Sequence, residues 1–221
     1  MEKILGMPAD QAVPEHIDKL KKSDIMQLFY AAESPKFTEM KGEYKAKLIP
    51  TGILFPGNNF YAHDMMGPGH WDAKAFFPFE SNQGWGYNLF TSNKGENAVI
   101  VRTMKMDTHV GESRFDKKDS FHLVYKAYNA GLNHSMRDEI RKINDRLYIG
   151  MGCLAWNMDT LNPCPFILYG APDQWVGPDE MKLIGSFVSK VLTNPRDEDI
   201  IARIKAQVTE LCDRFPLYST R

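Results

Sequence analysis

Two histidines and their neighbours carry the residue types that general acid–base chemistry needs. His70 stands two residues before Asp72, and His122 stands three residues before Tyr125. Histidine titrates near neutral pH, so His70 or His122 would act as the catalytic acid or base. Asp72 would orient the imidazole, and Tyr125 would serve as a donor. Because a strand alternates its faces, His122 and Tyr125 would reach one site only through a bulge.

The histidines do not have the spacing of a metal site. His63-Asp64 and His70-x-Asp72 place imidazole and carboxylate groups close together, and His122 or His134 could complete a ligand set. Neither HExxH nor another helical pair of histidines is present. We therefore predict loop or hydrogen-bonded histidines and no bound metal.

Aromatic residues dominate the stretch 63–90, where they alternate with glycines. Glycine lets the backbone turn sharply, and large aromatic rings supply buried area and ligand-stacking surface. Trp71, Trp85, Tyr87 and Phe90 are the candidates for lining a ligand cavity. The alternative is that they only fill the core, since a small barrel can be closed by its own side chains.

A charged strand supplies one further candidate. Arg137, Glu139 and Arg141 share a strand face by their period of two. If that face is interior, Arg141 could bind a ligand carboxylate through two hydrogen bonds. If it is exterior, which burial statistics favour, the three residues form a solvated ladder.

Composition and motifs exclude several classes of function. The 221 residues carry 27 basic and 28 acidic side chains, so no net field attracts nucleic acid or an anionic membrane. The sequence lacks a serine nucleophile elbow, a phosphate-binding glycine loop, a dinucleotide fingerprint and an EF-hand loop. We predict no cofactor, no nucleic-acid partner and no membrane insertion.

The cysteines and the N-terminal residues indicate a reducing compartment. Cys153, Cys164 and Cys212 are odd in number and lack a close CxxC spacing, which argues against a disulfide framework and a zinc site. The first sixteen residues have too short an apolar run for a signal peptide. A cytoplasmic location is the resulting prediction.

The elements that would position these residues are mostly strands. Residues 107–120 are strongly polar and indicate a surface loop or two strand ends. Alternating polarity and turn residues predict about eight short strands, the number expected of a sandwich or barrel. The expected strands are 44–48 (resuming at 53–55), 70–79, 85–91, 98–106, 121–128, 136–143, 146–152 and 166–169.

Helical patterns flank the strands. Pro14 opens an N-terminal helical segment that ends at Ser34-Pro35. Two amphipathic helices follow Pro178 and extend to residue 215. We predict one domain over 1–221, with a helical lead-in over 1–40, a β-barrel over 42–170 and C-terminal helices over 178–215. The helices would pack on the outside of the barrel.

Short motifs resemble the lipocalin-like (calycin) proteins. Gly69-His70-Trp71-Asp72-Ala73-Lys74 resembles their Gly-x-Trp-x-Gly-Lys signature, with Ala73 in place of the second glycine. The segment 138–143 followed by Gly150 is similar to the Asp-x-x-Arg-Lys hairpin that ends such barrels, and Gly42-Glu43-Tyr44 is a degenerate form of the entry motif. The resemblance covers 42–152. It implies a mainly β fold, an up-and-down barrel with a cavity for a small apolar molecule, and structural hairpin roles for Asp138 and Arg141.

Three functions remain open from the sequence. The first is binding of a small hydrophobic or aromatic molecule inside the barrel. The second is a cofactor-free isomerase, cyclase or lyase that uses a histidine and acts on a small apolar substrate. The third is a protein-interaction module that would expose an apolar patch on residues 201–215. The predicted partner is a small hydrophobic ligand or substrate, and a homodimer stays open.

Overall fold

Eight antiparallel strands form a closed barrel in the order of the sequence, from β1 to β8. The computed structural model describes residues 1–92, 97–155 and 158–214. Each strand pairs with its neighbours along the chain, and β8 closes the barrel on β1. The strands are β1 Gly42–Leu48, β2 His70–Pro78, β3 Gly84–Ser92, β4 Val99–Glu112, β5 Asp119–Val124, β6 Arg137–Asn144, β7 Leu147–Cys153 and β8 Cys164–Asp173.

The predicted mainly β fold with N-terminal and C-terminal helices is confirmed. The polar segment 107–120 resolves into two strand ends, because β4 continues to Glu112 and β5 begins at Asp119. The prediction that a strand resumes at 53–55 is wrong. Phe55–Phe60 form a helix, α4, with Pro56 in its first turn, where proline leaves no required hydrogen bond unmade. A π-helical turn, Tyr61–Met65, extends it.

Three short helices precede the barrel. They are α1 Glu2–Leu5, α2 Pro14–Ile17 and α3 Lys22–Ala31. The helix α3 buries Ile25, Leu28 and Phe29, which lie at i, i+3 and i+4 on one side. They pack against apolar side chains of β7 and β8 that face outward, including Ile149 and Ile167. The N-terminal helices therefore cover an outer face of the barrel.

The barrel thus has two large apolar cores, and a smaller apolar cluster lies on the outer face of β2 and β3, formed by Ala73, Ala75, Tyr87 and Leu89. The outer core lies between the helices α1 to α3 and the outward face of β6, β7 and β8. The inner core fills the barrel with residues that alternate with those of the outer face, as the pleat of a strand requires. It contains aromatic and methionine side chains from most of the strands, among them Tyr44, Phe76, Phe90, Met106, Phe121, Tyr148 and Phe166.

The residues from Gly177 onward form a second compact unit, separate from the unit Met1–Val176. It consists of α5 Asp179–Thr193 and α6 Glu198–Arg214. Phe187, Ile204 and Leu211 pack together between these helices. The predicted helix end at residue 215 lies outside the described residues, and the single-domain organisation stays a prediction. No helix among the described residues is long and apolar enough to cross a lipid bilayer.

Candidate functional site

A lysine and an aspartate form a buried ion pair inside the barrel. Lys74 of β2 donates from Nζ to Asp138 Oδ2 of β6 at 2.9 Å. Each residue is only 2% exposed. Lys74 Nζ also donates to Tyr125 OH at 2.6 Å and to Asn88 Oδ1 at 3.0 Å. Moving two charges out of water costs free energy. The additional hydrogen bonds around the pair offset part of that cost.

The same four side chains bond to one another and to a tryptophan. Tyr125 OH donates to Asp138 Oδ2 at 3.1 Å, and Asn88 Nδ2 donates to Tyr125 OH at 3.2 Å. Trp71 Nε1 donates to Asn88 Oδ1 at 3.0 Å. We call Trp71, Lys74, Asn88, Tyr125 and Asp138 the inner polar cluster. The Lys74 ammonium also lies over the ring of Trp71, 5.1 Å from its centre.

A β-bulge directs Lys74 into the barrel. Trp71 pairs with Phe90 and Ala73 pairs with Leu89, so Asp72 is the extra residue of β2. A bulge shifts the alternation of the strand by one position. Trp71 and Lys74 therefore both face inward, although their positions in the sequence numbering differ by an odd number, three.

Burial shifts the pKa values within this cluster in opposite directions. Burial lowers the pKa of Lys74, while the carboxylate of Asp138 opposes that shift. Burial raises the pKa of Tyr125 well above its usual value, and the charge of Asp138 adds to the shift. Tyr125 is therefore a protonated phenol at neutral pH and acts as a hydrogen-bond donor to Asp138.

A cavity of about 60 Å³ adjoins the cluster. Its walls are mainly apolar, and Lys74 and Asp138 supply charged groups to them. This volume is less than half of the roughly 150 Å³ that holds benzene in an engineered apolar cavity. The lining residues are Leu48, Asn58, Tyr61, Ala62, Met66, Trp71, Lys74, Met136, Asp138, Gly152, Cys153, Leu154, Cys164 and Phe166.

The segment 55–66, which contains α4 and the π-helical turn, caps this cavity. Tyr61 OH donates to Asn133 Oδ1, and Asn133 Nδ2 donates to the backbone oxygen of Met66 at 3.1 Å. Trp71 N donates to His63 Nδ1 at 3.2 Å. These three hydrogen bonds attach the capping segment to the barrel, so a molecule larger than the cavity would have to displace it.

Two thiols at the cavity are protonated at neutral pH. Burial raises the pKa of Cys164 to about 12, and burial also raises the pKa of Cys153. A thiolate is the nucleophilic form of cysteine. Neither residue therefore supplies a nucleophile, and both act as weakly polar wall groups.

Three of the nine predicted site residues belong to the barrel interior. Trp71 lines the cavity, Tyr125 belongs to the inner polar cluster, and Phe90 packs in the inner core. Gly67 lies directly against the Phe90 ring, where an added Cβ would come within 2.4 Å of it. The aromatic interior expected from 63–90 is thus built partly from these residues.

The predicted histidines do not line the cavity. The His70 side chain is 55% exposed, and its Nδ1 lies 2.9 Å from Asp72 Oδ1. His122 alternates with inward-facing Phe121 and therefore faces outward, with Nε2 3.2 Å from the Gly111 oxygen. His122 and Tyr125 lie on opposite faces, as strand alternation indicates. The structure does not bring the proposed catalytic residues His70, Asp72, His122 and Tyr125 together.

Two of the predicted ligand-binding aromatics face outward. Trp85 stacks against Phe79 with ring centres 4.8 Å apart, and Lys105 lies 3.9 Å from its ring centre. Tyr87 packs against Trp175 at 4.5 Å and donates its hydroxyl hydrogen to Glu43. Neither side chain reaches the cavity.

Arg141 lies in a second buried site, on the outer face of the barrel. Its guanidinium binds both carboxylate oxygens of Asp116, at 2.7 and 2.5 Å. It also donates to Ser120 Oγ at 2.9 Å, to the Phe29 oxygen at 3.0 Å and to the Lys118 oxygen at 3.4 Å. All five N–H groups are thereby engaged. We call Arg141 and these partners the outer arginine site; it faces away from the cavity.

Sequence reasoning missed the residues that make the cavity polar. Lys74 appeared only as the last residue of a motif, and Asp138 only as a hairpin residue. The available signal was their place in the two motifs, Gly69–Lys74 and 138–143, which meet at the Lys74–Asp138 ion pair. Among the described residues, no group of three histidine, cysteine, aspartate or glutamate side chains could hold a metal ion.

Comparison with known proteins adds support for the fold. A crystal structure of a protein from Thermomonospora curvata superposes with a TM-score of 0.50, at 15% identity over 75% of this chain and 99% of that chain. Such low identity shows the fold alone. No family model matches the chain. The closed eight-stranded antiparallel barrel is consistent with a calycin-like fold and is compatible with ligand binding.

Proposed function

We propose that the protein binds a small molecule with an apolar body inside the barrel, beneath the capping segment 55–66. The observation that carries the proposal is a mainly apolar cavity with a buried ion pair on its wall. Binding pockets commonly combine apolar walls with a few placed polar groups. By proportion to the roughly 150 Å³ that holds the six carbons of benzene, the cavity suits about two or three non-hydrogen atoms. An aromatic ring would need the capping segment to move.

The placement of the histidines favours a binding protein over a histidine-dependent enzyme. A binder is expected to keep its histidines outside the cavity or bonded to backbone, and an enzyme needs one within hydrogen-bond reach of the substrate. His63 accepts from the Trp71 backbone, and His122 contacts the Gly111 oxygen. Neither lines the cavity.

The proposal is tested by a variant that fills the cavity. Ala62 lines the cavity on the capping segment, and Ala62→Leu adds three carbon atoms there. Native mass spectrometry of protein purified from its own host should show a small bound molecule on the wild type and none on this variant. Ala31→Leu, at an exposed position of α3, is the matched control and should keep the molecule. Equal occupancy of Ala62→Leu and the wild type would contradict the proposal.

An enzyme of the same fold is the second candidate, and Asp138 is the observation that favours it. Its carboxylate lines the cavity beside the protonated phenol of Tyr125, which gives a base and an acid in contact. The reaction would be an isomerisation, cyclisation or elimination of a small apolar substrate. Incubating the host-derived molecule with excess protein separates the two roles, because a binder returns it unchanged.

The third candidate is an interaction role for the α5–α6 unit. Leu192 is 73% exposed, and Met181, Ile184 and Val188 are also exposed. Exposed apolar side chains on one unit are typical of a protein-binding surface. We infer self-association into a homodimer through this surface. Light scattering should show a dimer for the wild type and a monomer for Val188→Lys; a monomeric wild type would exclude this role.

We further infer membership of the calycin-like proteins and a cytoplasmic location. The first rests on the two motifs that meet at Lys74 and Asp138. The second rests on three free cysteines, Cys153, Cys164 and Cys212. Cell fractionation of the host tests the location, and recovery in an oxidising compartment would contradict it.

A further inference from the structure

The donor groups of Lys74, Tyr125 and Trp71 are all engaged within the inner polar cluster. A lysine ammonium carries three N–H groups. Lys74 directs them at three acceptors, which are Asn88 Oδ1, Tyr125 OH and Asp138 Oδ2. The Tyr125 hydroxyl hydrogen goes to Asp138 Oδ2, and the Trp71 indole hydrogen goes to Asn88 Oδ1. A ligand acceptor could bind here only by displacing one of these bonds.

One acceptor of the cluster is left without a partner. Both hydrogen bonds to the Asp138 carboxylate end on Oδ2, and among the described residues no donor reaches Oδ1. Asp138 is 2% exposed and lines the cavity. Its Oδ1 lies beside Gly152, another lining residue, since a Cβ placed there would be 3.5 Å away. A carboxylate oxygen that lines a cavity without a protein donor leaves a strong, charge-assisted hydrogen bond for a bound molecule to make.

We propose that the ligand presents a hydroxyl donor to Asp138 Oδ1, so that the site selects a neutral alcohol with a small apolar body. This inference rests on the proposed binding function. A carboxylate ligand would face Asp138 with like charge. An ammonium ligand would bring a second cation next to Lys74 into a site shielded from water. A hydroxyl satisfies Oδ1 and leaves the net charge of the Lys74–Asp138 pair unchanged.

Two probes with one carbon skeleton test the inference on the wild-type protein. 2-Butanol and 2-butanone each have five non-hydrogen atoms, so both need the same enlargement of the cavity at the capping segment, but only the alcohol can donate. A hydrogen bond to a charged group changes affinity by about tenfold to a hundredfold. We expect the dissociation constant of 2-butanol, measured by NMR titration, to be lower than that of 2-butanone by such a factor. Butyrate should bind more weakly than either.

An isosteric variant should reverse the preference. In Asp138→Asn, the amide oxygen can keep the bonds from Lys74 and Tyr125, which leaves the amide N–H groups facing the cavity. This variant should prefer 2-butanone. Asp116→Asn, in the outer arginine site, is the matched control and should keep the wild-type preference for 2-butanol.

The outcomes separate the inference from the function on which it rests. If wild-type protein binds 2-butanone as tightly as 2-butanol, the inference is overturned while binding in the cavity stands. If neither the three probes nor any host-derived molecule enters the cavity, the proposed function fails as well. The comparison of 2-butanol with 2-butanone on wild-type protein tests the inference even if Asp138→Asn does not fold.

Discussion

The barrel buries two cations, one on each side of its wall, and they are paired in different ways. Lys74 is 2% exposed inside the barrel, and Arg141 is fully buried on the outer face. Each binds an aspartate, Asp138 or Asp116. The outer aspartate uses both carboxylate oxygens on the arginine, whereas the inner aspartate uses only Oδ2. The outer network is closed, and the inner one retains an acceptor beside a cavity.

This difference separates a structural site from the proposed binding site. The outer arginine site links three segments, because Arg141 of β6 contacts the Phe29 oxygen of α3 and Asp116 of the β4–β5 connection. It therefore holds the N-terminal helices on the barrel, and its residues are not among those that line the cavity beside Asp138. The inner cluster joins β2, β3 and β6 and has a free acceptor where a small molecule would fit.

Removing Asp138 should produce the largest effect. Asp138→Ala leaves the Lys74 ammonium buried without a counter-ion, which costs about 3–5 kcal/mol of unfolding free energy. Urea unfolding at pH 7 measures this loss. A loss below about 1 kcal/mol would contradict a charged Lys74. Replacing both partners, in Lys74→Met with Asp138→Leu, should recover most of the stability because no charge then stays unpaired.

The same variant should respond to pH in a specific direction. Burial lowers the folded-state pKa of Lys74, and the loss of Asp138 lowers it further. Between that pKa and the unfolded value of about 10.4, the unfolded state binds more protons. The stability of Asp138→Ala relative to wild type should therefore rise with pH between the Lys74 pKa of the variant and that of the wild type, where only the folded variant has released the proton. A difference that stays constant from pH 7 to 10 would argue against this origin of the loss.

Removing Asp116 should cost less and show no such recovery. Arg141 keeps acceptors on Ser120, Phe29 and Lys118, so we expect Asp116→Ala to lose about 2 kcal/mol. Arginine stays protonated at all accessible pH values, so the loss should be constant from pH 7 to 10. Parallel urea unfolding of both aspartate variants measures the contrast. A pH response equal to that of Asp138→Ala would remove the distinction between the sites.

Removing a single hydroxyl group should cause the next largest loss of unfolding free energy. Tyr125→Phe removes one acceptor from Lys74 and one donor to Asp138, for a cost of about 1–2 kcal/mol. Ser120→Ala removes one of five acceptors from Arg141 and should cost about 1 kcal/mol. Thermal unfolding of the two variants should preserve this order. Because Tyr125 helps to hold the Asp138 carboxylate through its bond to Oδ2, its variant alone should weaken 2-butanol binding.

Substitution of the predicted histidine should have the smallest effect. His70→Ala changes an exposed side chain, so unfolding free energy should stay within about 0.5 kcal/mol of the wild type. Binding of 2-butanol should also be unchanged, as measured by NMR titration. A tenfold loss of affinity for 2-butanol would show that His70 contributes to ligand binding.

The strands could be predicted from alternation, but the direction of several side chains could not. A strict period of two from Trp71 places Ala73 and Ala75 on its side and Lys74 on the other. The bulge at Asp72 reverses this order, and nothing local in the sequence marks it. The sequence leaves Arg141 open between an interior ligand-binding role and an exterior solvated ladder. It lies on the outer face but is buried, because α3 covers that face from more than a hundred residues away.

The capping segment shows a second limit of sequence reasoning. Ile53-Leu54-Phe55 has the composition of a strand, yet Phe55 begins a helix and the segment closes over the barrel. Its helical form is supported by distant contacts, such as Tyr61 with Asn133. Local propensity is a weak prior where tertiary contacts decide the structure. The resemblance implies a cavity, but the part of its wall that this segment forms could not be predicted from the sequence.

The most direct test of ligand binding in the barrel is a methyl NMR titration of ¹³C-methyl-methionine protein with 2-butanol. Met66 and Met136 line the cavity, whereas Met181 is exposed on α5. We expect saturable shifts of the Met66 and Met136 methyl signals and an unshifted Met181 signal. Shifts confined to Met181, or a titration that leaves Met66 and Met136 unmoved, would contradict binding beside Lys74 and Asp138.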